Sequence, residues 1–86
     1  MTQTVYVLIT TEYGTEKEVA EELMQYPEVE DVHILYGQFD VILKIEGETL
    51  KAVEEFIFEK IRSNKSIEST ETLIAADVSS SEKPKE

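Results

Sequence analysis

The run from residue 29 to residue 47, VEDVHILYGQFDVILKIEG, constrains the fold more than any other part of this chain. Each flank places apolar side chains at every second position: Val32, Ile34 and Tyr36 on the first, Val41, Leu43 and Ile45 on the second. That is the period of a strand, not of a helix. His33 and Leu35 face the opposite way on the first flank, as do Ile42 and Lys44 on the second. Between the flanks, Tyr36-Gly37-Gln38-Phe39-Asp40 reads as a turn, with glycine at the corner where a positive φ is cheap.

The rest of the chain supplies partners for this hairpin. Residues 4–10 form a strand with Val5, Val7 and Ile9 on one face and Tyr6 and Leu8 on the other. Thr15-Glu16-Lys17-Glu18 has the spacing of a capping box, and Val19, Ala20, Leu23 and Met24 follow as a narrow helical stripe. Tyr26-Pro27 ends that helix, because proline disfavours helical geometry in the residue before it. Residues 49–63 space Leu50, Val53, Ile57 and Ile61 as a helical face, and residues 66–77 form a Thr-rich and then apolar strand.

The resulting order, βαββαβ, predicts an α+β, ferredoxin-like sandwich: a four-stranded antiparallel sheet with two helices on one face. Two helices cover one face only. Tyr6, Leu8, Leu35, Ile42 and Ile74 are read as an apolar opposite face, a patch that a soluble monomer avoids exposing. The prediction is a homodimer packed sheet against sheet, a dimeric α+β barrel.

At 86 residues the chain has room for one domain, assigned to residues 1–77, with residues 78–86 (VSSSEKPKE) as a flexible polar tail. A domain this small buries about 60–65% of its unfolded surface and is marginal without help. Cysteine is absent, so disulfides and thiolate–metal sites cannot provide it. No stretch approaches the ~20 apolar residues of a membrane span and the N-terminus has no basic region, which predicts a soluble, cytoplasmic protein. With 19 acidic residues against 8 basic and one arginine, Arg62, the net charge of −11 argues against direct nucleic-acid binding. The acidity itself reads as a solvated surface or as a lure for a basic partner.

Catalytic constellations are thin. The one histidine, His33, lies mid-strand with no cysteine or second histidine to join it, and metal sites need three or four converging ligands. Glycine-rich phosphate loops and nucleophile elbows do not occur. Acylphosphatases share the topology, but Thr10-Thr11-Glu12-Tyr13-Gly14 lacks the arginine their phosphate loop requires. No catalytic residue, metal or cofactor is assigned.

What remains is a candidate small-molecule site. Gly37 and Gln38 can offer main-chain amides to a carboxylate, Asp40 can face an ammonium group, and Thr70 and Thr72 alternate onto one face of their strand with two hydroxyls. That set suits a zwitterion such as a free amino acid. The plainer readings stand beside it: a capped hairpin turn for Gly37 and Asp40, and ordinary β-propensity for the threonines.

These residues also carry a resemblance. Tyr36-Gly37-Gln38-Phe39-Asp40-Val41-Ile42-Leu43-Lys44-Ile45 resembles the G-x-[YF]-D-hydrophobic signature of the effector domain of leucine-responsive and asparagine-type (Lrp/AsnC) transcriptional regulators, the RAM domain. Pro27-Glu28-Val29 is similar to that family's P-x-V entry to the second strand, and Ile67-Glu68-Ser69-Thr70-Glu71-Thr72-Leu73-Ile74 to its V-x-x-T-x-T-hydrophobic fourth strand. The resemblance spans residues 5–76. It implies the sandwich derived above, dimers joined through their sheets, and rings of eight or so subunits. It also implies a free amino acid bound between neighbouring dimers, touching Gly37, Gln38, Phe39 and Asp40 from one side and Thr70 and Thr72 from a neighbour, with Tyr36 lining the pocket.

Full-length members carry an N-terminal helix-turn-helix domain, whereas this sequence opens on the first strand, so it resembles the stand-alone RAM proteins. The reading is a ligand-responsive oligomeric module without catalytic activity, acting by itself or by co-assembly with full-length regulators. Two alternatives stay open: a small dimeric α+β barrel enzyme of the monooxygenase or isomerase type, with His33 and Tyr6 as its polar candidates, and a ligand-free structural oligomer. A pocket within one subunit favours the enzyme, and a pocket between dimers the sensor.

Overall fold

The alternation in residues 3–11 builds the central strand of the sheet. In a computed structural model, which describes residues 2–76, β1 (Gln3–Thr11) is followed by α1 (Glu16–Leu23), β2 (Val29–Ile34), β3 (Val41–Gly47), α2 (Leu50–Phe56) and β4 (Ile67–Ile74). The βαββαβ order and the four-stranded antiparallel sheet agree with the sequence. Strand order is β2-β3-β1-β4, so the hairpin pairs locally while β3 reaches back to β1. The predicted last residue of the fourth strand and the tail, residues 77–86, lie outside the described residues.

Register decides which side chains meet the helices. Val5, Val7 and Ile9 pair with Ile45, Leu43 and Val41, and this double row is fully buried. Val19 and Leu23 of α1, Val53 and Phe56 of α2, and Ile57 and Ile61 beyond it close the core from above. The Tyr26 ring meets Phe56 edge-on at 5.4 Å, joining the segment after α1 to α2. Burial at 3.6-residue and 2-residue periods thus meets at one layer, which is what makes a two-layer sandwich.

Several local expectations are corrected. Thr15 does not form the predicted capping box; its hydroxyl donates back to the Glu12 carbonyl at 2.8 Å and caps no amide of α1. Thr49 does cap α2, accepting from the Ala52 N–H at 3.1 Å. Met24, assigned to the first helical stripe, is exposed because α1 ends at Leu23. The second helix changes pitch: residues Ile57–Ile61 form a π-helical turn, closed by the Arg62 N–H donating to the Ile57 carbonyl at 2.9 Å. The wide turn lets Phe56 and Ile57 both enter the core and turns Phe58 and Arg62 outward. Ile74, placed by the sequence on the face away from the helices, pairs with Val5 and so lies on the helix side; Leu73, paired with Tyr6, takes the open face.

Gly47 ends β3 where α2 crosses it. A Cβ there would come within 2.8 Å of Val53 Cγ2, and Val53 is buried with a single branched rotamer to offer. Gly47→Ala is therefore expected to lose about 1–3 kcal/mol through overpacking, read as a lower urea midpoint at unchanged slope.

Candidate functional site

The hairpin tip follows from where pairing stops. Ile34 and Val41 are the last partners of β2 and β3, and the Leu35 N–H donates to the Asp40 carbonyl at 2.8 Å to close the turn. Gly37 sits at φ +151°, inside the region that favours glycine, with open space around its Cα. Tyr36 is 99% exposed, Gly37 and Gln38 are exposed, and Phe39 is half-buried. Among the described residues, the main-chain amides of Tyr36, Gly37, Gln38 and Phe39 are four donors left without an acceptor in the chain.

Asp40 is held more firmly than a hairpin cap requires. Its N–H donates to the Ile9 carbonyl at 2.9 Å, and its Oδ2 accepts from the Thr11 N–H at 2.8 Å and the Thr11 hydroxyl at 3.5 Å. One carboxylate oxygen is thus committed to β1 just past the bulge between Thr10 and Thr11, and the other is left for a further donor. Asp40 lines a cleft of about 290 Å³ with Glu12, Glu16 and Glu68, and the fully exposed Tyr13 stands beside it. Because the Thr11 contact is structural, alanine at 40 costs stability as well as any ligand contact. Asp40→Asn keeps an oxygen for Thr11 while removing the charge, and is expected to melt close to the wild type, unlike Asp40→Ala.

Thr70 and Thr72 stand elsewhere. They pair with Ile9 and Val7, so both point to the helix side of the sheet. The main contacts of α1 are to β2 and those of α2 to β3 and β1, which leaves β4 without a helix above it. The gap between α2 and β4 is a trough of about 510 Å³ lined by Glu54, Ile57, Phe58, Arg62, Thr70 and Thr72. Thr70 and Asp40 share one end of the sheet: Val41, Ile9 and Thr70 form a row across β3, β1 and β4, roughly 10 Å at the usual strand spacing. Within one chain the structure brings the two threonines together but keeps them in a different cleft from Asp40. Arg62 escaped the sequence reading as a site residue; the available signal was a lone arginine directly after an apolar helical stripe in a strongly acidic chain.

The open sheet face carries Tyr6 and Leu8 of β1, Ile42 of β3 and Leu73 of β4. His33 and Asp31 flank it at the β2 edge, 3.7 Å apart and both exposed, beside a shallow cleft that also touches Tyr6, Ile42 and Lys44. The space between sheet and helices, where an enzyme of this shape keeps its polar groups, is filled by the apolar core. Among the described residues no group of three or more His, Asp or Glu can converge on a metal, and no helix is long and apolar enough to cross a membrane.

Comparison with known proteins agrees with this architecture. Residues 4–84 match the family model described as the Lrp/AsnC ligand binding domain. A helix-turn-helix-type transcriptional regulator of Pyrococcus furiosus is 36% identical over 61 residues, covering 71% of this chain and 41% of the regulator. This chain spans about half or less of the length of the curated relatives it matches, which are named as transcriptional regulators and not as enzymes. A solved hypothetical protein from Pyrococcus horikoshii is 42% identical with a TM-score of 0.84, covering 92% of this chain and 94% of that one. The solved protein FFRP-DM1 is 43% identical with a TM-score of 0.83, covering 86% and 99%. A Neisseria meningitidis transcriptional regulator solved as a complex with L-methionine shares the fold alone, at 16% identity and a TM-score of 0.78 over 87% of this chain and 50% of that one. The matched model runs through all four strands, the hairpin and the Thr70–Thr72 segment, and on that ground the chain belongs to the Lrp/AsnC ligand-binding domain family.

Proposed function

We propose that this chain is an amino-acid-binding oligomeric regulatory module of the cytoplasm. Two copies pack their open sheet faces together through Tyr6, Leu8, Ile42 and Leu73, and the dimers assemble further into rings of eight or so subunits. A free amino acid sits between neighbouring dimers. Gly37 and Gln38 present main-chain amides to its carboxylate, Asp40 meets its ammonium group, and Tyr36 and Phe39 flank it. Thr70 and Thr72 of the neighbouring dimer close the site. Binding that favours one assembly state over another shifts the equilibrium by the difference in affinity, and co-assembly with full-length regulators carries the signal to DNA.

The observation that carries this reading is the hairpin tip: four unpartnered amides beside a carboxylate with one oxygen uncommitted, at a corner that faces solvent in the single chain. Such a half-site offers the two ends of a zwitterion what each requires, and a second surface is needed to complete it. The L-methionine complex of the Neisseria regulator supports an amino acid as the ligand class.

Thermal unfolding against each of the twenty amino acids, with light scattering on every hit, tests it. A ligand at about 100 times its dissociation constant adds about 2.7 kcal/mol, a readily measured rise in midpoint. One or a few amino acids are expected to raise the midpoint and change the particle mass. A midpoint that ignores all twenty at millimolar concentration overturns the reading in favour of a ligand-free oligomer.

A further inference from the structure

The trough between α2 and β4 contains the chain's single arginine, and among the described residues that arginine has no partner. Among the described residues the Arg62 guanidinium makes no ion pair or hydrogen bond, although the chain carries 19 acidic residues. Carboxylates stand nearby: Glu54 shares the trough, and Glu68 and Glu59 border the adjoining clefts with Arg62. None of them is paired with it.

Arg62 is where it is because of the π-helical turn. Its N–H reaches back five residues to Ile57, so the widened turn carries Arg62 beyond the core-facing Ile61 and out over the flank of β4. There Arg62 lines the trough together with Thr70 and Thr72, with buried Ile57, and with Phe58, which is 67% exposed. An arginine offers five donors in a planar fork and no acceptor, and two hydroxyls add two more donors. The Glu54 carboxylate lines the same trough, so the match to an acceptor-only, planar group, held at two points by the fork, is made by Arg62 and the two hydroxyls against that one like charge. The apolar side of the trough, Ile57 and Phe58, leaves room for hydrocarbon but supplies no hydrogen bond to compete.

We propose that Arg62, with the Thr70 and Thr72 hydroxyls, clamps a carboxylate of the bound ligand. The inference rests on the amino-acid reading above, whose Thr70 and Thr72 it shares, and it adds the residue that supplies the charge. An amino acid has two possible sources of that group: the side-chain carboxylate of aspartate and glutamate, which leaves the α-carboxylate on the Gly37 and Gln38 amides, and the α-carboxylate that all twenty carry, which would move from those amides to Arg62.

Calorimetric titration of the full chain and of Arg62→Ala with each of the twenty amino acids separates these sources, since Arg62 is exposed and its loss leaves the core intact. A tenfold or greater loss of affinity for every amino acid that binds identifies the α-carboxylate. A loss of that size confined to aspartate and glutamate identifies the side-chain carboxylate. Arg62→Lys, which keeps the charge without the fork, is expected to recover part of the loss. Unchanged affinities in Arg62→Ala overturn the clamp. If Asp40→Asn abolishes binding in that same case, the amino-acid reading survives without it. A wild-type chain that binds none of the twenty overturns both.

Discussion

Leu43→Ala is expected to remove about 2–5 kcal/mol from the stability of this fold. Leu43 is fully buried on β3, paired with Val7 on one side and Val32 on the other, within the core cluster. The loss combines the transfer energy of the deleted methyl groups with the cavity left where strands on both sides prevent collapse. A domain of this size has about 4–13 kcal/mol in total, at ~0.05–0.15 kcal/mol per residue, so the variant sits near its unfolding threshold. Urea titration at fixed protomer concentration checks it: the midpoint falls and the slope holds. Ile34→Ala is the internal control. It removes a side chain from the same face two residues beyond Val32, but Ile34 is 41% exposed at the end of the edge strand, and its loss is expected to cost under about 1 kcal/mol. Equal losses at the two positions would contradict the placement of the core on β1 and β3.

Ile42→Glu is expected to break the sheet-to-sheet dimer and so lower the mass of the assembly. In the proposed dimer the open sheet faces meet around a twofold axis, so one substitution introduces two carboxylates into a single apolar interface. Burying the isoleucine contributes about 1.5–3 kcal/mol per copy, and an unpaired buried charge adds to the loss, so a dissociation constant at least about a hundredfold weaker follows. Ile42 is the cleaner position because its partners are Leu8 and His33, neither of them acidic. Leu8→Glu would stand opposite Glu71 and disturb the sheet itself through like-charge repulsion. Sedimentation equilibrium reads the mass while far-ultraviolet circular dichroism verifies that the strands persist. A variant that keeps the wild-type mass would rule out the open face as the interface.

The strand and helix pattern was legible because burial imposes a period. Val5, Val7, Ile9, Val41, Leu43 and Ile45 recur every second residue, and all six are fully buried in the double row at the centre of the sheet. Element ends were less legible, because they depend on a few hydrogen bonds without a repeating signal. Thr15 had the right spacing for a capping box, yet the turn before α1 draws its hydroxyl to the Glu12 carbonyl. Ile74 reads from the sequence as part of the face away from the helices, and only pairing with Val5 shows that it faces them. The π-helical turn leaves no mark in the apolar spacing, since Ile57 and Ile61 lie four residues apart in either geometry.

For the candidate site, the hairpin residues Tyr36, Gly37, Gln38, Phe39 and Asp40 could be picked out from the chain, because a glycine corner followed by a carboxylate is a local feature. The trough could not. Arg62 and the Thr70–Thr72 pair are joined only because α2 covers β1 and β3 and leaves β4 bare.

The amino-acid sequence alone therefore determined the order of elements, the paired apolar rows of β1 and β3, the acidic exterior and the position of the turn, all of which follow from spacing between near neighbours. Tertiary structure decided the strand order β2-β3-β1-β4, the face on which each residue of β4 stands, the engagement of Asp40 by Thr11, and the trough around Arg62. These depend on register between segments tens of residues apart, and register is set by the packing of two helices over four strands, a property of the assembled layers and not of any one segment.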